Sequence, residues 1–205
     1  MRKFIDCDNK LYNYFYKLAD YLLLNFIWII FCIPIVTIGV SSTALYYTFH
    51  KVLKDGKGTL WNTFWNTFKS NFKQGILLWI IYLFIFSLFG IDIYFTYILS
   101  KSIPIMSFLL LIIPVIAIFT FVCSIYSFAY ISHINDNIGT VLKNSVLICV
   151  MNLPYTLLLV IGFVFCIFSI AYFSFGPLLI FVLPVLYTHL QTWIFEKVFS
   201  KYWNI

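Results

Sequence analysis

The sequence predicts an all-α fold, a polytopic membrane helical bundle that forms a single integral membrane domain over residues 1–205. The first observation is where charge is missing, since no Asp, Glu, Lys or Arg occurs from Tyr21 to His50 or from Asn144 to Phe195. About 20 apolar residues cross a bilayer, so the second stretch is long enough to cross it twice. The second observation is the composition, which is 63% hydrophobic and 10% charged with a mean hydropathy of +0.99. A soluble domain carries about 25% charged residues.

The chain up to residue 54 is predicted to form an interfacial arm and an N-terminal helical hairpin. Residues 1–20 mix polar and aromatic side chains, and their apolar residues share one helical face, which is typical of an interfacial lead-in to a membrane helix. The uncharged stretch from 21 to 50 is too long for one upright span and too short for two straight ones. We therefore expect this stretch to enter the membrane, break and return on the same side.

The predicted break is the segment from Pro34 through Thr37 to Gly39, which is followed by Ser41 and Ser42. Proline keeps the residue before it out of helical geometry, and serine is a good helix N-cap. Irregular backbone at that depth has to be covered by protein or line a cavity. The two predicted hairpin helices cover about 11–33 and about 42–54.

An amphipathic helix is predicted over residues 59–73. Trp61 and Trp65 belong to an aromatic row at helical spacing, and Asn, Ser and Lys side chains that include Lys69 and Lys73 lie opposite this row. Tryptophan beside lysine, with an aromatic inner face, favours a helix that lies in the plane of the membrane interface. The alternative is a helix whose aromatic face docks into a groove of another protein.

Four further transmembrane helices are predicted in the remainder of the chain. Each is an apolar run long enough to cross a bilayer with some tilt. The last two are separated by a turn placed at 171–176. The four predicted spans are 75–98, 104–131, 145–168 and 177–195.

The distribution of the basic residues predicts which ends share a side of the membrane. If residues 21–50 crossed once, the two sides would hold five and eight Lys and Arg residues, which is almost no bias. If this stretch is a hairpin, one side holds twelve and the other only Lys101. Because basic loops stay on the cytoplasmic side, we expect both termini and helix 59–73 on the cytoplasmic face of the cell membrane.

Polar residues inside the predicted spans are the first candidates for function. Asp92 is the one carboxylate within a span, and it is either an interfacial residue that pairs with Lys101 or faces water, or a proton or cation site. Asn152 and Pro154 interrupt the span at 145–168. They predict a kink in which Asn152 is hydrogen-bonded across helices.

No sequence pattern indicates an enzyme, a cofactor or a metal. The loop from His133 to Asn137 favours a helix-capping turn, with Asp136 or Asn137 as the N-cap, over a catalytic base. His189 is expected to be a hydrogen-bonded or snorkelling residue near the inner end of the last span. The five cysteines show no CxxC spacing, and the basic residues form no stripe, which argues against metal and nucleic-acid binding.

Several phrases of the chain occur in an order that carries a resemblance. They are Pro34-Ile-Val-Thr-Ile-Gly39 with the run up to Tyr47, the run from Phe64 to Gln74, Leu142-Lys-Asn144, Asn152-Leu-Pro-Tyr-Thr-Leu157 and Pro184-Val-Leu-Tyr. Together they resemble the YesL-like family of bacterial integral membrane proteins, over nearly the whole chain. The chain departs from the family's usual Phe-Pro and Arg-Phe pairs at 127–130 and 132–133. The resemblance supplies no catalytic or binding residues.

The resemblance implies a role in carbohydrate uptake, because family members in Gram-positive bacteria are often encoded beside sugar-uptake ABC transporters. We therefore expect a non-enzymatic accessory protein or regulator in the lipid bilayer, with an ABC-type sugar transporter as partner. The alternative is a small transporter or channel acting as a homo-oligomer, and a lipid-organising role is a third interpretation. The path of such a transporter would be lined by Thr37, Ser41, Ser42, Asn152 and Asp92.

Overall fold

The computed structural model describes residues 2–103, 105–172, 183–199 and 201, with side chains from residue 17 onward. Every regular element in these ranges is helical. A short 3₁₀ turn, Ile35–Thr37, precedes the second α-helix, and a π-helical turn, Phe49–Lys54, follows it. The α-helices are α1 (Arg2–Cys32), α2 (Ile38–Thr48), α3 (Leu60–Ser70), α4 (Phe72–Ser100), α5 (Met106–His133), α6 (Ile138–Met151), α7 (Leu153–Tyr172) and α8 (Leu183–Phe199).

Three helices in the described part of the chain are long and apolar enough to cross a membrane. They are α4 with 29 residues, α5 with 28 and α7 with 20. Their outer faces expose many large apolar side chains, for example Phe84 on α4, Leu111 on α5 and Ile161 on α7. Such faces are typical of a hydrocarbon environment, because exposing this much apolar surface to water is unfavourable.

The span predicted at 145–168 is two helices rather than one. Helix α6 ends at Met151 and α7 begins at Leu153, because Asn152 leaves helical geometry with φ −120° and ψ 44°. Pro154 then falls in the first turn of α7, where a missing N–H costs nothing. Residues 173–182, which include most of the predicted turn at 171–176 and the start of the predicted span at 177–195, lie outside the described residues.

The N-terminal hairpin is built differently from the prediction at its break. Helix α1 runs without interruption from Arg2 to Cys32, and α2 begins at Ile38 rather than near residue 42. The hydroxyls of Thr37 and Ser41 donate to the carbonyl oxygen of Phe31, at 2.7 and 2.9 Å. They therefore satisfy the end of α1 and leave the start of α2 without a side-chain cap.

The hairpin returns close to where it began. The ring of Tyr21 stacks on the ring of Phe49 with centroids 5.7 Å apart, so the two ends of the uncharged stretch are neighbours. At the tip, the carbonyl oxygen of Ile35 accepts a 2.7 Å hydrogen bond from the indole N–H of Trp79. Trp79 lies seven residues into α4, which is about 10 Å along the helix.

Two apolar clusters hold the helices together. The larger one joins α4, α5, α7 and α8 around Tyr126 and Phe195, whose rings are 4.8 Å apart. The smaller one joins the hairpin to α3 through Leu24, Val40 and Phe64. Helix α2 contacts both clusters, and this central position brings the hairpin, α3 and the ends of α5 and α8 together.

Candidate functional site

Helix α3 turns its aromatic face largely toward the chain's own hairpin. The ring of Phe31 lies 5.3 Å from Phe64, 5.6 Å from Trp65 and 5.0 Å from Phe68, measured between centroids. Phe64 and Phe68 are buried, whereas Trp61 at the start of the helix is 53% exposed. The sequence predicted this face against the membrane or another protein, but Phe31 at the end of α1 covers most of it.

The two lysines of the predicted amphipathic helix remain at the surface. The ammonium of Lys69 lies over the Trp65 ring, 4.7 Å from its centroid, which favours an orderly lysine–tryptophan pair. Lys73 is exposed in the first turn of α4. Trp61, Lys69 and Lys73 are thus accessible together with the polar side of α3.

The structure places Asp92 far from the other residues predicted to line a path near the hairpin tip. The Thr37 and Ser41 hydroxyls are engaged by Phe31, and Ser42 is half-buried in the first turns of α2. Asp92 is exposed on α4, thirteen residues beyond Trp79, which places it about 20 Å along the helix from the hairpin tip. Within the described residues Asp92 forms no ion pair, with Lys101 or any other cation.

Asn152 and its neighbours join α6 to α7. The Asn152 side-chain amide donates to the carbonyl oxygen of Ile148 at 3.0 Å, and the Thr156 hydroxyl donates to that of Cys149 at 2.8 Å. Both carbonyls belong to the last turn of α6, and that of Ile148 also accepts from the Asn152 backbone N–H at 3.1 Å. These residues and Pro154 therefore stabilise a helix junction.

A second polar junction fixes the loop between α5 and α6. The Tyr130 hydroxyl donates to the Asp136 carboxylate and accepts a 3.0 Å bond from the Asn144 amide. The side-chain amide of Gln74 donates to the backbone oxygen of Asp136 at 2.6 Å. Asn137, one of the two predicted N-caps, occupies that position of α6, but its side chain makes no capping bond. Gln74 ties the start of α4 to this loop.

A charged cluster that the sequence did not reveal joins the hairpin to α8. The Lys54 ammonium donates to the Glu196 carboxylate, and His50 Nε2 lies 3.1 Å from the same oxygen. Asp55 lies 3.9 Å from His50 Nδ1. Burial lowers the pKa of His50, the Asp55 carboxylate works against this, and the Lys54 ammonium adds to it. One sequence feature pointed to Glu196 as a residue with a specific partner: it is the chain's one glutamate and directly follows the longest uncharged stretch.

All three histidines of the chain lie near the end of the hairpin. The ring centroid of His133 is 5.7 Å from that of His50 and 5.8 Å from that of Tyr46. His189 packs edge-on against Phe49 at 5.6 Å. In the part of the chain that the structure describes, no group of three or more His, Cys, Asp or Glu side chains could hold a metal ion.

A cavity of about 310 Å³ opens beside this cluster, between the end of α2, the polar side of α3 and the end of α5. We call it the polar cleft. None of its lining side chains is a carboxylate, and its one full positive charge is that of half-buried Lys51. The Lys51 ammonium lies 5.4 Å from the Tyr47 ring centroid and forms no ion pair with a described residue. Its other polar walls include Thr63, Asn66 and Asn135.

Together these features define an all-helical bundle whose long apolar helices could cross a membrane, with the charged cluster and the polar cleft at one end. Residues 21–93 match the family model described as a protein of unknown function, DUF624. The matched segment contains the hairpin, α3 and α4 as far as Ile93. No curated protein and no solved structure matches the chain.

Proposed function

We propose that the protein is a non-enzymatic integral protein of the cell membrane that acts as an accessory subunit or regulator of carbohydrate uptake. Its partner is the membrane-spanning part of an ABC-type sugar transporter, and both of its termini are cytoplasmic. The carbohydrate class rests on the resemblance to YesL-like proteins. The observation that carries the accessory role is that the charged cluster and the polar cleft lie at one end of the bundle, while several polar side chains along the long helices bond within the bundle.

Several polar side chains within the long helices support this role because they bond inside the bundle. The Tyr82 hydroxyl and Ser127 Oγ are 2.7 Å apart and link α4 to α5. The Thr120 and Ser169 hydroxyls donate to backbone oxygens one turn earlier in their own helices. Groups used in this way stabilise packing and leave little to coordinate a moving solute.

The accessible polar end offers a contact surface for the partner. Trp61, Lys69 and Lys73 are exposed together there, and tryptophan is enriched at protein–protein interfaces. The basic residues suit an acidic cytoplasmic face on the partner, which would add specificity and a faster association.

Site-specific crosslinking tests the proposal. A photoreactive phenylalanine analogue replaces Trp61 in one variant and exposed Leu99, at the far end of α4, in a matched control. We expect ultraviolet light on living cells to join position 61, and not position 99, to a sugar-transporter membrane subunit. Purified adducts at position 61 that contain no transporter component would contradict the proposal.

One observation favours the alternative of a homo-oligomeric transporter or channel. Asp92 is exposed on α4 among the exposed apolar side chains of Leu88, Ile91 and Phe95. A carboxylate on an apolar face is costly in lipid and would be covered by a second copy of the chain. Proteoliposome flux that Asp92→Asn abolishes would favour this alternative, and the absence of flux would remove it.

A further inference from the structure

The geometry points to the polar cleft as a binding site for a phosphate-bearing ligand. The ligand is either a small phosphorylated compound or a phospholipid headgroup, which share the same anionic chemistry. The cleft volume of about 310 Å³ lies at the lower end of the range for small-molecule sites. This inference does not depend on the identity of the transport partner.

The first argument is the uncompensated charge of Lys51. Of the described carboxylates at this end of the bundle, Glu196 pairs with Lys54 and Asp136 accepts from Tyr130. Asp55 lies 3.9 Å from His50, and Asp20 adjoins Tyr21, whose ring stacks on Phe49. Lys51 is half-buried in the cleft wall and has none of them within ion-pair distance. A partly desolvated cation without a counter-ion favours an anionic ligand.

The second argument is the supply of hydrogen-bond donors. The side chains of Tyr47, Thr63, Asn66 and Asn135 line the cleft, and none of them makes a hydrogen bond with another described residue. Amide and hydroxyl donors beside an ammonium match the several acceptor oxygens of a phosphate group. Sugar-binding sites, in contrast, also use carboxylates to accept from hydroxyls, and the cleft lining has none.

The third argument is the electrostatic setting. Five lysines occur within residues 51–73, and the chain as a whole carries a net charge of +6. Of the exposed members, Lys69 lies on α3, Lys57 in the turn before it and Lys73 in the first turn of α4. Their summed field attracts anions toward this end of the bundle.

Binding by the full-length protein in detergent tests the inference. Calorimetric titrations use inorganic phosphate, glucose 6-phosphate, glucose, and the short-chain lipid dihexanoyl phosphatidylglycerol. We expect saturable binding of at least one of the three phosphate-bearing probes and none of glucose. A response to glucose 6-phosphate alone assigns a soluble ligand, and a response to the lipid alone assigns a headgroup. Glucose binding as tight as glucose 6-phosphate, or no saturable binding of any phosphate probe, would overturn the inference.

Two variants locate the site. Lys51→Gln removes the cleft cation, and Lys57→Gln removes an equal charge from an exposed turn outside the cleft. We expect binding at least about tenfold weaker for Lys51→Gln and nearly unchanged for Lys57→Gln. Equal weakening by both variants would overturn the inference, since it indicates a diffuse charge effect. Asn66 is exposed, so Asn66→Asp gives a second test that spares the fold, and we expect its added carboxylate to abolish binding.

Discussion

The indole N–H of Trp79 donates a 2.7 Å hydrogen bond to the carbonyl oxygen of Ile35, and this bond fastens the tip of the hairpin to the second turn of α4. Ile35 lies in the short 3₁₀ turn where the chain reverses, and its carbonyl oxygen also accepts a hydrogen bond from the backbone N–H of Ile38. The indole supplies a second hydrogen bond to this oxygen and links the hairpin to α4, which gives Trp79 a structural role.

Trp79→Phe keeps an aromatic ring and removes the donor. We expect a loss of about 0.5–1.5 kcal/mol in the free energy of unfolding, because the Ile35 carbonyl oxygen loses one of its two donors. Thermal unfolding of the purified protein in detergent measures the change. Trp61→Phe, at an exposed indole, is the control and should leave the unfolding temperature nearly unchanged. Equal unfolding temperatures for the two variants would show that the Trp79 bond contributes nothing.

The close approach of α2 to α4 requires a glycine at position 75. A Cβ atom there would lie 2.8 Å from Val40 Cγ2 and 3.3 Å from Val40 Cα, so the two helices would have to separate. We expect Gly75→Ala to destabilise the protein by about 1–3 kcal/mol. Gly90→Ala, on the same helix, meets nothing within 4 Å and should be neutral or stabilising by up to about 1 kcal/mol. Unfolding temperatures of both variants in one detergent decide the comparison.

The proposed orientation can be tested with single cysteines in a chain from which the natural cysteines have been removed. Lys57→Cys lies in the turn before α3, and Ser102→Cys lies in the loop after α4. In intact cells we expect a membrane-impermeant maleimide to label position 102 and not position 57. Inside-out vesicles should give the reverse pattern. Labelling of position 57 from outside would contradict the proposed cytoplasmic placement of residues 51–73.

His50 predicts a pH dependence of stability. Burial lowers the pKa of His50 below its ordinary value of 6.5, so the unfolded chain takes up a proton first as the pH falls. The free energy of unfolding therefore decreases as the pH falls below 6.5, the ordinary histidine pKa. We expect His50→Gln to unfold with a shallower pH slope between about pH 7.5 and about pH 5.5 than the natural chain. Identical slopes would contradict a contribution of His50 to the pH dependence.

The sequence predicts the long apolar helices well because their signal is local. Helices α4 and α5, Phe72–Ser100 and Met106–His133, lie within three residues of the ranges 75–98 and 104–131 at every end. The hairpin break is predicted less well, since serine is read as a start signal for the next helix. In the structure, Ser41 bonds back across ten residues to Phe31, and that choice depends on how closely α1 and α2 pack.

The sequence could not predict which residues meet in the charged cluster and in the polar cleft. Lys54 and Glu196 are 142 residues apart, and no periodic pattern links them. The polar cleft likewise takes its walls from α2, α3 and α5, and these meet only after the hairpin has docked. The docking of α3 on Phe31 follows the same rule, because an aromatic row specifies a buried face without specifying what buries it.

The anchoring of the hairpin has a consequence for biosynthesis. Residues 21–54 leave the ribosome well before Trp79 and Phe128, which supply the contacts that hold Ile35 and Gly39. Domains and segments made first ordinarily fold first. Here the hairpin, residues 21–54, cannot complete its packing until α4 and α5 have been synthesised. A nascent chain that stops before α5 is complete would therefore expose an incompletely packed hairpin to quality-control proteases.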